Sequence, residues 1–221
     1  MPVQKIGGLA AFICAATYLV GFALLVTLLA PLGYGSGEID ADAVVAFNMA
    51  RPGILIAWNT VIYVVNALAL AVLVVALHAR LEPTTPGWAA VTRAFGLIWA
   101  TLVLGAGMIA NVAVDRAAHL AASDPTAAAQ LWEILHAVEL GLGGGNEIAG
   151  GVWILGVSIA GLRGRSIGKV PAILGLVTGA GGFATIIPAL GDSAGAVFGL
   201  GAIAWFIAVG IVLYRARAAA A

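Results

Sequence analysis

Charge is scarce in this 221-residue chain: only 9% of its residues are Asp, Glu, Lys or Arg, whereas 62% are apolar. Soluble domains carry about a quarter charged residues, so the composition excludes that class and predicts an integral membrane protein. Lysine occurs only as Lys5 and Lys169, which leaves no membrane-buried amine for a Schiff base. Cys14 is the single cysteine, so an intrachain disulfide is excluded, and its place in an apolar run makes it packing filler. Formal net charge is zero, so no global field draws in nucleic acid. Neither a Walker-type glycine loop nor a G-x-S-x-G elbow nor H-E-x-x-H occurs.

Long apolar runs are what the chain has. A bilayer core of ~30 Å needs about 20 apolar helical residues, and six segments qualify: about 6–30, 54–77, 94–114, 140–162, 170–190 and 194–214. The runs are continuous rather than alternating, which rules against transmembrane strands. The fold class expected is all-α, one polytopic transmembrane domain over residues 1–221. The first run exceeds the roughly 7–15-residue core of a signal peptide, so it predicts a retained helix rather than cleavage near Ala30.

Orientation follows from the basic residues. With the N-terminus inside, the cytoplasmic side receives Lys5, Arg80, Arg93, Arg163, Arg165, Lys169, Arg215 and Arg217, and the outer side only Arg51 and Arg116. That asymmetry predicts both termini in the cytoplasm. Two outer connections have helical character. Residues 40–50 carry a short apolar stripe at Val44, Val45 and Met49 and are expected to lie in the interface. Ser123-Asp124-Pro125 reads as a cap followed by proline in a first helical turn. Helices three and four should therefore project outward as a hairpin over about 108–140. Glycine pairs at 175 and 179, and at 195 and 199, suit close helix packing within the chain. Trp88, Trp99, Trp132, Trp153 and Trp205 read as interface anchors or packing.

Most of the notable polar residues fall in the outer half. Asn59, Tyr63 and Asn66 share a face of the second helix by their spacing, as do Asn111, Asp115 and His119 on the third. The fourth carries His136, Glu139, Asn146 and Glu147. In an antiparallel hairpin turning at Ser123-Asp124, His119 and His136 lie about 11 Å apart along the axis, too far to share one ion. No metal site is expected, and His136 is expected to contact Asn111 or Asp115. Glu147 lies about 10 Å inside the outer boundary, level with Asn59 and Tyr63 at about 8 and 14 Å. A carboxylate facing acyl chains is costly, so Glu147 should face the bundle or a wet cavity beside those two residues. The glycines at 143–145 let a helix or ligand approach, or let the helix bend. Glu139, two turns further out, is too distant to pair with Glu147.

The stretch GGGNEIAGGVW (143–153), with AGLR (160–163), PAILGL (171–176) and ADAVVAFNMARPGILIAW (41–58), resembles the domain-of-unknown-function 4386 family of bacterial six-helix membrane proteins. The resemblance covers most of the chain. It implies six spans, a multi-pass location in the bacterial inner membrane, and Asn146 and Glu147 as signature positions. It implies no reaction and no cofactor.

Three function classes remain open. One is binding of a small lipophilic or amphiphilic ligand in an outer-leaflet polar cavity around Glu147, lined by Asn59, Tyr63, Asn66, Asn111, Asp115, His136, Glu139 and Asn146. Another is a membrane-embedded enzyme with Glu147 as catalytic general acid or base on a lipophilic substrate. The third is an accessory subunit of a membrane complex. Expected partners are membrane lipid, that ligand, and a second copy or another membrane subunit, with nucleic acid excluded. Glu147 as a mere structural staple stands beside all three.

Overall fold

Apolar runs this long leave the backbone no partner but itself, and in the computed structural model they are helical. The structure describes residues 2–35, 39–144 and 147–216, so Glu38, Asn146 and Arg217 lie outside the described residues. The helices are α1 (Val3–Leu24), α2 (Ala41–Ala50), α3 (Ile54–Asn59), α4 (Asn66–Leu81), α5 (Pro86–Ala121), α6 (Pro125–Glu139), α7 (Ile148–Arg163), α8 (Lys169–Ala184) and α9 (Gly191–Arg215). Among the described residues there is no strand. Among the described residues, five stretches are long and apolar enough to cross a membrane: Val3–Leu32, Ile54–Leu81, Pro86–Ala121, Pro125–Arg163 and Ser193–Arg215. The chain is thus a multi-pass membrane protein by length and composition.

The fifth expected span, 170–190, is not among them. It forms the 16-residue α8, about 24 Å long at helical rise, short of a ~30 Å core. Pro188 supplies the reason. A proline at position 188 has no N–H to donate to the Ala184 carbonyl, which disfavours further α-helix there, and a 3₁₀ turn at Pro188–Leu190 leads into α9 instead.

Local signals set helix ends, one of them as expected. The Asp124 carboxylate accepts a hydrogen bond from the Ala127 N–H at 3.0 Å, and Pro125 takes the first helical position. Asp40 caps α2 in the same way, accepting from the Ala43 N–H at 3.0 Å. With 36 residues, α5 extends about 54 Å, well beyond the apolar thickness of a bilayer.

The helices gather into two compact units, each built from separate pieces of the chain. One comprises Met1–Ala16, Asn66–Leu102 and Asn146–Ala221. Here α8 packs between α7 and α9, and α4 meets α7. Its centre is aromatic: Trp153 lies 5.6 Å from Trp99 and 5.4 Å from Trp205, and Trp205 lies 5.4 Å from Phe206. These rings are buried, so three of the expected anchor tryptophans are packing residues. Trp88 is more exposed and carries the Arg163 guanidinium over its face at 5.3 Å. Lipid tails are as apolar as leucine, so close approach of backbones rather than burial holds such helices together. Gly151 shows it: a methyl group there would run into the α8 backbone at Gly182 and Phe183. Gly175 and Gly179 likewise face side chains and backbone of this unit, whereas Gly195 faces open space.

The other unit comprises Thr17–Val65 and Val103–Gly145. Its core joins Leu29, Leu32, Val44, Val45, Leu55, Trp58, Ala113, Val114, Ala117, Ala128 and Trp132. Here the expectation for residues 40–50 needs correcting. Val44 and Val45 are buried against this core and α2 packs on α6, while Met49 points away and is exposed. Buried Asn48 donates to the Val114 carbonyl at 3.3 Å, so the polar residue of that face also turns inward. A stripe bounded by tertiary partners looks, in sequence, like one bounded by lipid.

Candidate functional sites

Glu147 stands where the fourth expected span breaks. After α6 the chain makes a π-helical turn at Leu140–Gly144, and within it Gly143 adopts φ 139°, a conformation that side-chain-bearing residues rarely reach. Of the two roles open to these glycines, bending is therefore the one realised at Gly143. Helix resumes at Ile148 with Glu147 as its N-cap residue, although the carboxylate makes no capping bond. The backbone at this point is firmly held. The Glu147 N–H donates to Thr185 Oγ1 at 3.2 Å, that hydroxyl donates to the Gly182 carbonyl at 2.7 Å, and the Glu147 carbonyl accepts from the Gly151 N–H at 2.7 Å. The half-buried carboxylate has no hydrogen-bond partner among the described residues. Gly150 and Gly151 admit Trp99, Phe198 and the α8 backbone, and thus serve packing.

The other polar residues assemble in the unit of Thr17–Val65 and Val103–Gly145. Glu139, at the end of α6, is 3% exposed. Tyr63 donates its phenol proton to Glu139 Oε1 at 2.7 Å, and His136 Nδ1 lies 2.8 Å from Glu139 Oε2. The three-residue spacing of His136 and Glu139 on one helix joins the two side chains to each other. Trp132, one turn earlier, stacks on the imidazole at 4.7 Å and 17°. Tyr34 presents an edge contact to His136 at 6.4 Å and to Trp58 at 5.3 Å. Partial burial, and secondarily the charge of Glu139, push the Tyr34 phenol well above its ordinary pKa, so it stays protonated.

Several expectations for this cluster change. His136 finds its partner in Glu139, not in Asn111 or Asp115. Asn111 donates to Thr60 Oγ1 at 3.1 Å, and its Oδ1 is buried without a partner among the described residues. Asp115 turns outward with His119, whose side chain is 76% exposed, and the two share a 3.7 Å contact. The shared face expected for Asn59, Tyr63 and Asn66 assumed an unbroken α-helix. A π-helical turn at Thr60–Val65 lies between them, and Asn66 begins the piece of chain that joins the other unit. Asn59 and Asn66 are buried. Asn146 lies outside the described residues.

Sequence reasoning missed Tyr34, Trp58, Thr60 and Thr185. No motif marks them, because each enters through a contact between segments distant in the chain. A signal existed only for Trp132, four residues before His136 on one helical face. Comparison of the chain with protein-family models, curated proteins and solved structures finds no match to any of them.

Proposed function

We propose that this protein binds a small lipophilic or amphiphilic ligand on the outer side of a bacterial inner membrane, with Glu147 as the polar anchor. The observation that carries this reading is the contrast at Glu147 between a backbone fixed by Thr185 and Gly151 and a carboxylate without a partner among the described residues. A polar group held in place within an apolar span and left unbonded costs free energy unless something fills its hydrogen-bonding capacity. A staple would be bonded to the helices it joins. No second acid, base or nucleophile is bonded to the carboxylate among the described residues, so binding is preferred to catalysis.

The topology belonging to this reading has six spans with both termini cytoplasmic, α8 and its following turn serving as the short fifth. It rests on the distribution of lysine and arginine. Kinship with the domain-of-unknown-function 4386 family rests on the Asn146-Glu147 motif and its flanking glycines.

The test compares the full chain with Glu147→Gln in native-lipid discs, measuring co-purifying amphiphiles by mass spectrometry. The variant should keep its thermal midpoint and lose an amphiphile retained by the wild type, roughly tenfold for a lost hydrogen bond. Equal retention in both proteins would overturn the reading and leave Glu147 a structural residue.

A further inference from the structure

The His136–Glu139–Tyr63 assembly lies outside the reading of Glu147. Both oxygens of the Glu139 carboxylate are engaged, Oε1 by the Tyr63 hydroxyl at 2.7 Å and Oε2 by His136 Nδ1 at 2.8 Å. A carboxylate accepts and does not donate, so Nδ1 carries the imidazole proton in this arrangement. In the neutral ring the lone pair is then at Nε2. That nitrogen has no hydrogen-bond partner among the described residues, and the His136 side chain keeps 18% of its surface exposed against 4% for Glu139. The ring is held on its face by Trp132 and approached by the edge of Tyr34. Tyr63 lies within one π-helical turn and Glu139 directly precedes another, an irregularity that recurs at functional sites. Fixing an imidazole this firmly, with one nitrogen left open, makes a directed hydrogen-bond acceptor walled by aromatic rings.

We propose that His136 Nε2 is the acceptor of a binding site for the hydroxyl head of an amphiphile, with Glu139 and Tyr63 as positioning residues. The chemistry selects the head group. An anionic head would meet the Glu139 carboxylate behind the ring, and a head without a donor leaves the Nε2 lone pair unpaired. A hydroxyl donates one bond to Nε2 and brings little charge, while its chain lies along aromatic and aliphatic surface. The site does not depend on Glu147, and its failure is separable because every readout is taken at His136.

The chain holds only three histidines, so nitrogen NMR of the imidazole-labelled full protein in lipid discs can follow each ring. The probes are 1-decanol, decane and decanoate. Expected are a neutral His136 with its proton on Nδ1 and a saturable shift of the Nε2 signal with 1-decanol. Decane should leave that signal in place, and decanoate should bind at least about tenfold more weakly than the alcohol. Glu139→Gln, which keeps the shape but frees the ring to change tautomer, should weaken the alcohol response about tenfold. The wild-type spectra decide the matter even where a variant does not fold. A proton on Nε2, equal shifts with decane and decanol, or tighter binding of decanoate would each overturn the proposal.

Discussion

At the scale of single residues, this protein places its polar groups in two different conditions. Glu139 has a polar partner at each carboxylate oxygen, whereas Glu147 is anchored by its backbone and has no side-chain hydrogen bond among the described residues. Tyr34 shows how strongly the Glu139 site acts on its neighbours. Its phenol is raised above the ordinary value of about 10 by partial burial first and by Glu139 second. The folded protein therefore holds this proton more tightly than the unfolded chain does. Stability tied to it is intact below the ordinary phenol value and is lost as pH rises above it. An alkaline absorbance titration in detergent checks this among the four tyrosines. Tyr34→Phe should leave the tyrosinate step near pH ~10 unchanged and remove only absorbance appearing at higher pH. Loss of amplitude from the ordinary step would show Tyr34 to be unperturbed.

Among helices, glycine and π turns govern the arrangement more than amphipathic patterning does. Gly151 lets α7 and α8 touch through their backbones, and no side chain is available there to yield. Gly151→Ala should lower stability by about 1–3 kcal/mol, the usual cost of overpacking. Gly195→Ala, with open space around it, should change stability by less than ~0.5 kcal/mol or raise it slightly through helix propensity. Thermal midpoints in one detergent compare the two directly. Similar losses at both positions would mean that helix flexibility, not contact, sets the effect. The π-helical turns at Leu25–Leu29, Thr60–Val65 and Leu140–Gly144 each rotate the downstream residues relative to a regular 3.6-residue pattern. They all fall in the unit that holds His136, Glu139 and Tyr63.

For the molecule as a whole, topology decides what the outer side can bind. Basic residues flank the ends assigned to the cytoplasm, and Glu82 apart, the acidic residues outside the spans lie on the other side. Reporter fusions after Ala221 and within residues 32–50 should report cytoplasm and exterior respectively. A C-terminus found outside with residues 32–50 also outside would remove the short fifth span, whereas a C-terminus outside with residues 32–50 in the cytoplasm would reverse the placement of Glu147.

The amino-acid sequence by itself determined the all-helical class, the positions of the long apolar runs and the cap at Asp124. These depend on composition, length and contacts within four residues, all of which are local. The sequence also named Tyr63, His136 and Glu139, since polar groups in apolar runs stand out without any structure. Only the tertiary structure decided that they join one another, for Tyr63 and Glu139 are 76 residues apart. It likewise decided that Val44 and Val45 face a protein core rather than lipid, because both surroundings select the same side chains. The rotation of each helix was beyond the sequence for a further reason: periodicity assumes an unbroken α-helix, and a π turn or the φ 139° of Gly143 redirects every residue beyond it.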